Sequence, residues 1–202
     1  MPRPRTITNE EILDAARELF LQRGPSVSTA EIARRAGISE GTIFKRYPTK
    51  DALFMAAMGL EAAADPSTFL KDVKGSGSMK ENLGCIARQM LSFFRELIPR
   101  VIAMHAHPKL AAHQHGILKG PNSPHCQAHN ALSAHLQLEM DAGRLGRGDP
   151  ELMARVLSAS LWNFVFFETI KAQVYKHMEG DDYVDQLVDL LWSGMAPEGD
   201  RS

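Results

Sequence analysis

An all-α fold of about nine helices is what this sequence predicts, and three observations predict it. Apolar residues recur every three or four positions through most of the chain, capping signatures introduce several of those stretches, and no stretch alternates polar and apolar residues as a strand would. From Asn9, the residues Ile12, Ala15, Ala16, Leu19 and Phe20 form one helical stripe, and Gly24 supplies a stop. Ser28-Thr29-Ala30-Glu31 is a capping box: the serine caps, the glutamate reaches back, and a helix of about two turns turns Ile32 and Ala33 inward before ending at Ala36-Gly37. Ser39 caps a third short helix through about Arg46. Thr49 caps a fourth, in which Leu53, Ala56, Ala57 and Leu60 share a face until Asp65-Pro66 bends or ends it.

Lys74-Gly75-Ser76-Gly77 reads as a loop, and Ser78-Met79-Lys80-Glu81 repeats the capping box before Leu83, Ile86, Ala87, Met90, Phe94 and Leu97. Pro99 and Pro108 set a short helix apart from the polar stretch Ala112–Ser123. Ser123-Pro124 pairs an N-cap with proline at the first helical position, and Gly143 closes the helix it opens. Asp149-Pro150 repeats that device for a helix expected to reach about Gly180. Met153, Val156, Leu157, Ser160, Leu161, Phe164 and Val165 lie on one of its stripes, with Trp162, Phe166 and Phe167 on another. The last helix, about Asp181 to Ser193, spaces Val184, Leu187, Val188, Leu191 and Trp192 helically.

A chain of 202 residues that is 44% hydrophobic can bury a core, here divided into a head of residues 1–50 and a body of residues 51–202. Its 23 lysines and arginines against 24 acidic residues leave the whole nearly neutral, so affinity for nucleic acid must come from local charge. Residues 28–50 supply it: Arg34, Arg35, Lys45, Arg46 and Lys50 against Glu31 and Glu40 give +3. Cys85 and Cys126 form no CxxC pair and read as buried, inert thiols in a reducing cytoplasm. No run of about 18 apolar residues occurs, which argues against a membrane span or a signal peptide.

Two short helices joined by Ala36-Gly37-Ile38-Ser39, with a third before them, make a helix-turn-helix whose second member lies in the major groove. Gly37 permits a positive φ in the turn, and Ser39 and Gly41 keep the front of the recognition helix slim enough to approach base edges. Thr42 suits a phosphate or a thymine methyl, while Lys45, Arg46 and Lys50 suit phosphates. Arg3 and Arg5 are candidates for an adjacent minor groove.

The stretches ILDAARELFLQRG, Ile12–Gly24, and STAEIARRAGISEGTIFKRYPTKDAL, Ser28–Leu53, resemble the tetracycline-repressor family of bacterial regulators, whose head reads ILDAARELFxxxG and TxxEIAxxAGxSxGTxYxxFxxKxxL. That resemblance implies that Thr29, Ser39, Gly41, Thr42, Phe44, Lys45, Arg46, Tyr47 and Lys50 form the operator-contacting set. Phe44 departs from it, standing where the family has a tyrosine whose hydroxyl reaches a phosphate; Tyr47 stands where it has an inward phenylalanine. Arg46 stands where histidine is frequent, and its permanent charge could offset the lost phosphate contact.

The resemblance fades after about residue 60, and it implies a helical body that binds a small inducer and pairs as a homodimer through its last two helices. Met90, Phe93, Phe94, Met104, Trp162 and Phe166 are the candidate pocket residues, and their apolar character fits a hydrophobic or aromatic molecule. Seven of the eight histidines fall at 105, 107, 113, 115, 125, 129 and 135, so metal sensing, with His125 and His129 four apart on a helix, is an alternative. An enzyme or plain binding module is the rival of another class, but no GxSxG, HExxH, P-loop or dinucleotide fingerprint occurs. The expected partners are an operator in double-stranded DNA and the inducer, with no cofactor and no membrane.

Overall fold

A computed structural model of the chain describes residues 7–59, 70, 77–107, 124–172 and 174–195. Among them lie eight α-helices. They are α1 (Asn9–Arg23), α2 (Thr29–Ala36), α3 (Glu40–Arg46), α4 (Lys50–Met58), α5 (Met79–His105), α6 (Pro124–Asp141), α7 (Pro150–Thr169) and α8 (Gly180–Met195), with a 3-10 turn at Gly24–Ser26. The expectations for Arg3, Arg5, Leu60, Asp65-Pro66, Lys74–Ser76 and Ala112–Ser123, His113 and His115 included, fall outside the described residues.

The described residues fall into two compact units, one of residues up to 59 together with 99–107, the other of residues 77–98 together with those from 124 onward. In the first unit α1, α2 and α3 surround Ile12, Ala16, Phe20, Ile32 and Ile43, all closed to solvent, and α4 adds Leu53, Phe54, Ala57 and Met58. The Phe20 and Phe54 rings meet edge to face at 4.9 Å, and Arg17 Nε donates to the Ala57 carbonyl at 2.8 Å, tying α1 to α4. The expected caps are present. Ser28 Oγ accepts from Glu31 N at 3.2 Å while Glu31 returns to Ser28 N at 3.0 Å, and Thr49 Oγ1 accepts from Ala52 N at 3.0 Å. A further capping box, Thr8 with Glu11, starts α1.

The second unit is built on residues 79–98 of α5, with Ile86, Met90, Phe94 and Ile98 fully buried, and on α6, α7 and α8. The N-terminus of α8 lies close under α5: a Cβ on Gly180 would fall 2.7 Å from Arg95 Nη2 and 2.9 Å from Leu91 Cδ2. Cations along α5 face carboxylates of α7 and α8. Lys80 pairs with Asp189 at 2.8 Å, Arg88 with Asp185, and Arg95 grips Glu168 with both Nε and Nη2, at 2.9 and 2.8 Å. These pairs are half exposed and set register more than stability.

Two boundaries differ from the sequence reading. Pro99 lies inside α5, which runs unbroken from Met79 to His105. Proline forfeits one amide donor, and a helix packed on both sides of it tolerates that loss. α7 ends at Thr169, well short of Gly180: Ala172 N reaches back to the Phe167 carbonyl and Lys171 N to that of Glu168, a Schellman closure with Lys171 at φ 53°. Gly37 and Gly143 close α2 and α6 in the same way, with φ of 70° and 73°. A non-glycine residue in that conformation is strained, so Lys171→Gly is expected to raise stability by about 0.5–1 kcal/mol, read as a higher chemical-denaturation midpoint at unchanged slope.

Glu139, near the end of α6, is a buried carboxylate clasped by Arg144, whose Nη2 donates to its Oε1 at 2.9 Å and whose Nε donates to its Oε2 at 2.5 Å. Those hydrogen bonds hold its pKa below the ordinary carboxylate value against the opposing effect of burial. A depressed carboxylate pKa stabilises the fold above the unfolded value near 4.5, and the contribution is lost as pH falls through the folded one. Between pH 5 and pH 3 the wild type is therefore expected to lose more stability than Glu139→Gln, as paired denaturation curves would show.

Candidate nucleic-acid interface

The interface is built from α2, the turn Gly37–Ser39 and α3. Gly37, left-handed at φ 70° and ψ 32°, closes α2 with its amide and that of Ile38, and the chain reverses within three residues. Ser39 then caps α3 by accepting from Thr42 N at 3.2 Å, and its Oγ lies 2.9 Å from Thr42 Oγ1. Ile43 is the fully buried residue of α3. At 100° per residue, Gly41 and Lys45 point within about 20° of directly away from it, and Thr42 and Phe44 flank them on either side.

Exposure agrees with that geometry. Gly41, Phe44 and Lys45 are exposed and Thr42 is half-buried, with Phe44 showing 42% of its surface to solvent. Nothing inside the head explains the glycine, because a Cβ at position 41 would meet only Ser39 Oγ, at 3.9 Å. The outward face of α3 is thus a bare spot beside an exposed ring and a cation, shaped for close approach by a flat or grooved partner.

Three members of the expected operator-contacting set make hydrogen bonds within the head. Thr29, the first residue of α2, is buried, and its hydroxyl donates to Glu40 Oε1, which locks the start of α2 to the start of α3. Arg46 is half-buried and turns back beside Ile43, where Nη2 donates to the Ile7 carbonyl at 2.9 Å. Lys50 Nζ donates to the Pro25 carbonyl at 2.6 Å, linking the start of α4 to the 3-10 turn. These contacts fix where α3 sits. An alanine at Lys50 would therefore remove a structural bond along with a charge, and Lys45 is the cleaner probe of phosphate contact. Tyr47 ends α3 half-buried, and burial pushes its phenol pKa up. The partners Ile7, Pro25 and Glu40 were not predicted: backbone carbonyls leave no trace in composition, and the separation of eleven between Thr29 and Glu40 matches no helical period.

In the second unit, Phe94 lies between Phe93, at 5.5 Å, and the edge of the Trp162 ring, at 5.6 Å. Met90 precedes Phe94 by one turn of α5, and Phe166 follows Trp162 by one turn of α7. Met104, expected with them, belongs to the other unit, where it is buried. Glu168 is an ion-pair partner of Arg95. Cys85 is exposed rather than buried because it lies on the side of α5 away from Ile86, Ala87 and Met90, and Cys126 is half-buried. Among the described residues no three histidine, cysteine or acidic side chains gather to hold a metal, and no helix is long and apolar enough to cross a membrane.

A short capped helix, presented by a tight turn and backed by two further helices, defines a helix-turn-helix DNA-binding head. Residues 12–57 match the model of the bacterial regulatory proteins of the tetR family. It is 35% identical over 69 residues to the HTH-type transcriptional regulator YvkB of Bacillus subtilis, a match covering 34% of this chain and 36% of that one. To the HTH-type transcriptional regulator TtgR of Pseudomonas putida it is 30% identical over 92 residues, 45% of this chain and 43% of that one. The match therefore spans less than half the length of these curated relatives.

The fold extends further. A TetR-family regulator from Mesorhizobium loti superposes with a TM-score of 0.71 at 22% identity, over 93% of this chain and 96% of that one. FadR of Bacillus subtilis, solved with stearoyl-CoA, superposes with a TM-score of 0.64 at 20% identity, over 93% and 99%. The family and these relatives are transcriptional regulators, not enzymes.

Proposed function

We propose that the protein is a ligand-responsive transcriptional repressor that binds a palindromic operator as a homodimer and leaves it when a small hydrophobic molecule enters the body. The observation that carries the DNA-binding part is the outward face of α3, where Gly41 and Lys45 stand opposite Ile43 with Thr42 and Phe44 beside them. Dimerisation is supported by apolar side chains left in solvent on the last two helices: Leu152 and Val156, one turn apart on α7, and Leu190 on α8. A two-fold dimer presents two copies of α3 to half-sites about one DNA turn apart. We assign the inducer contacts to Met90, Phe93, Phe94, Trp162 and Phe166, and the likeness to FadR with stearoyl-CoA supports an apolar molecule or acyl chain. Such a ligand weakens DNA binding only by favouring one conformation over another.

Selection from random-sequence DNA tests the reading: an enriched inverted repeat is expected, and recovery of no common sequence would reject it. On that operator, Lys45→Ala is expected to reduce the slope of log affinity against log salt by about one, since a phosphate contact releases about one counterion. An unchanged slope removes Lys45 from the phosphate contacts.

A further inference from the structure

We infer that Phe44 is a base-reading residue that packs on the 5-methyl group of a thymine in the major groove of each operator half-site. The inference rests on the DNA-binding reading above and specifies the chemistry by which that face discriminates sequence.

Phe44 shows 42% of its surface to solvent, while Phe20 and Phe54, the other phenylalanines of the head, are buried against one another. Of the phenylalanines in the described head, Phe44 is thus the one whose ring a partner can reach. Helical side chains lean toward the N-terminus of their own helix, so the ring of Phe44 leans toward the level of Gly41, three residues earlier and about 60° around α3, while staying more than 4 Å from where a Cβ at position 41 would stand. Gly41 contributes no side chain there, and nothing within 3.9 Å of its missing Cβ competes for the space. An apolar ring therefore borders the bare spot at which the helix comes closest to its partner. The N-terminal turn of a recognition helix is also the part that meets base edges.

The alternative for this position is a phosphate, and the chemistry disfavours it. Phenylalanine has no donor, and the guanidinium of Arg46, the nearest candidate to replace one, already donates to the Ile7 carbonyl at 2.9 Å. Among the features of the major groove, the thymine methyl is the one that an apolar side chain recognises.

Replacing each operator thymine in turn by deoxyuridine removes one methyl and leaves every hydrogen-bonding group unchanged. For the wild-type dimer, one position in each half-site is expected to lose affinity about fourfold on this change, the equivalent of about 0.8 kcal/mol for one buried methyl. For Phe44→Ala, which is expected to bind the thymine operator roughly tenfold more weakly, the same substitution is expected to have no further effect and the salt slope to stay at the wild-type value. Phe44 is exposed, so the variant's melting curve should match the wild type and rule out loss of the head. Lys45→Ala should retain the deoxyuridine effect.

Persistence of that effect in Phe44→Ala, or its absence at every thymine, overturns the inference. So does Phe44→Tyr binding all sequences more tightly with a steeper salt dependence, since that places the ring edge at a phosphate. Failure of the wild type to select any operator overturns the DNA-binding reading itself. An operator selected normally but indifferent to deoxyuridine overturns this inference alone.

Discussion

Gly41→Leu is expected to lower operator affinity about 100-fold or more while leaving the protein at least as stable as the wild type. The first half follows from where the residue points. Gly41 lies opposite Ile43 on α3, so a leucine there projects from the face that must enter the groove and holds the helix away from base edges. Losing two base contacts at about 1–3 kcal/mol each is enough for that factor. The second half follows from what surrounds the residue. A Cβ at position 41 finds only Ser39 Oγ, at 3.9 Å, and exchanging a helical glycine for leucine recovers up to about 1 kcal/mol of backbone entropy. Thermal melting and a gel-shift titration on the same preparation measure both, with Gly41→Ala expected between the wild type and leucine in affinity. Near-normal binding by the leucine variant would mean that this face of α3 does not lie in the groove.

Opposite signs for stability and binding at one residue make the test sharp, and the sequence singles out Gly41 for the same slim front of α3 on which that test turns. Sequence reasoning reached the elements too, because each is announced by local chemistry. The boxes at Ser28 and Ser78, the caps at Ser39, Thr49 and Asp149 and the glycine at position 143 are all in place. The Thr8–Glu11 box has the same spacing and was legible by the same rule. Two boundaries depart from the local signal. Pro99 reads as a breaker yet lies inside α5, and Lys171 closes α7 in a conformation that usually calls for glycine. Arg46 and Lys50, of types suited to phosphate, also donate to carbonyls at Ile7 and Pro25, partners that have no sequence signature. What the sequence could not show at all was that residues 99–107 belong with the head.

That last point makes Phe54 the residue whose loss should cost the head most. Phe54 is fully buried on α4, with the Phe20 ring of α1 at 4.9 Å on one side and the His107 ring at 4.6 Å on the other. It thereby joins the start of the chain to a segment about fifty residues later. Phe54→Ala removes the middle of this stack and leaves a cavity that two rings border, a change that costs about 3–5 kcal/mol in well-packed cores. For a protein of this size each kcal/mol is worth about 2–4 °C, so the head is expected to melt roughly 10 °C lower and to lose operator binding as α4 loosens. His107→Leu is the informative companion. The imidazole is buried with Nδ1 lacking a hydrogen-bond partner among the described residues, and its Nε2 lies 3.8 Å from Asp51 Oδ1. An apolar side chain of similar size keeps the packing on Phe54 and removes that unsatisfied atom, so the change in stability should stay within about 1 kcal/mol. A large loss at Phe54 with a small one at His107 locates the stabilisation in apolar packing. A Phe54→Ala variant that melts like the wild type would show that residues 99–107 are not part of the head's core.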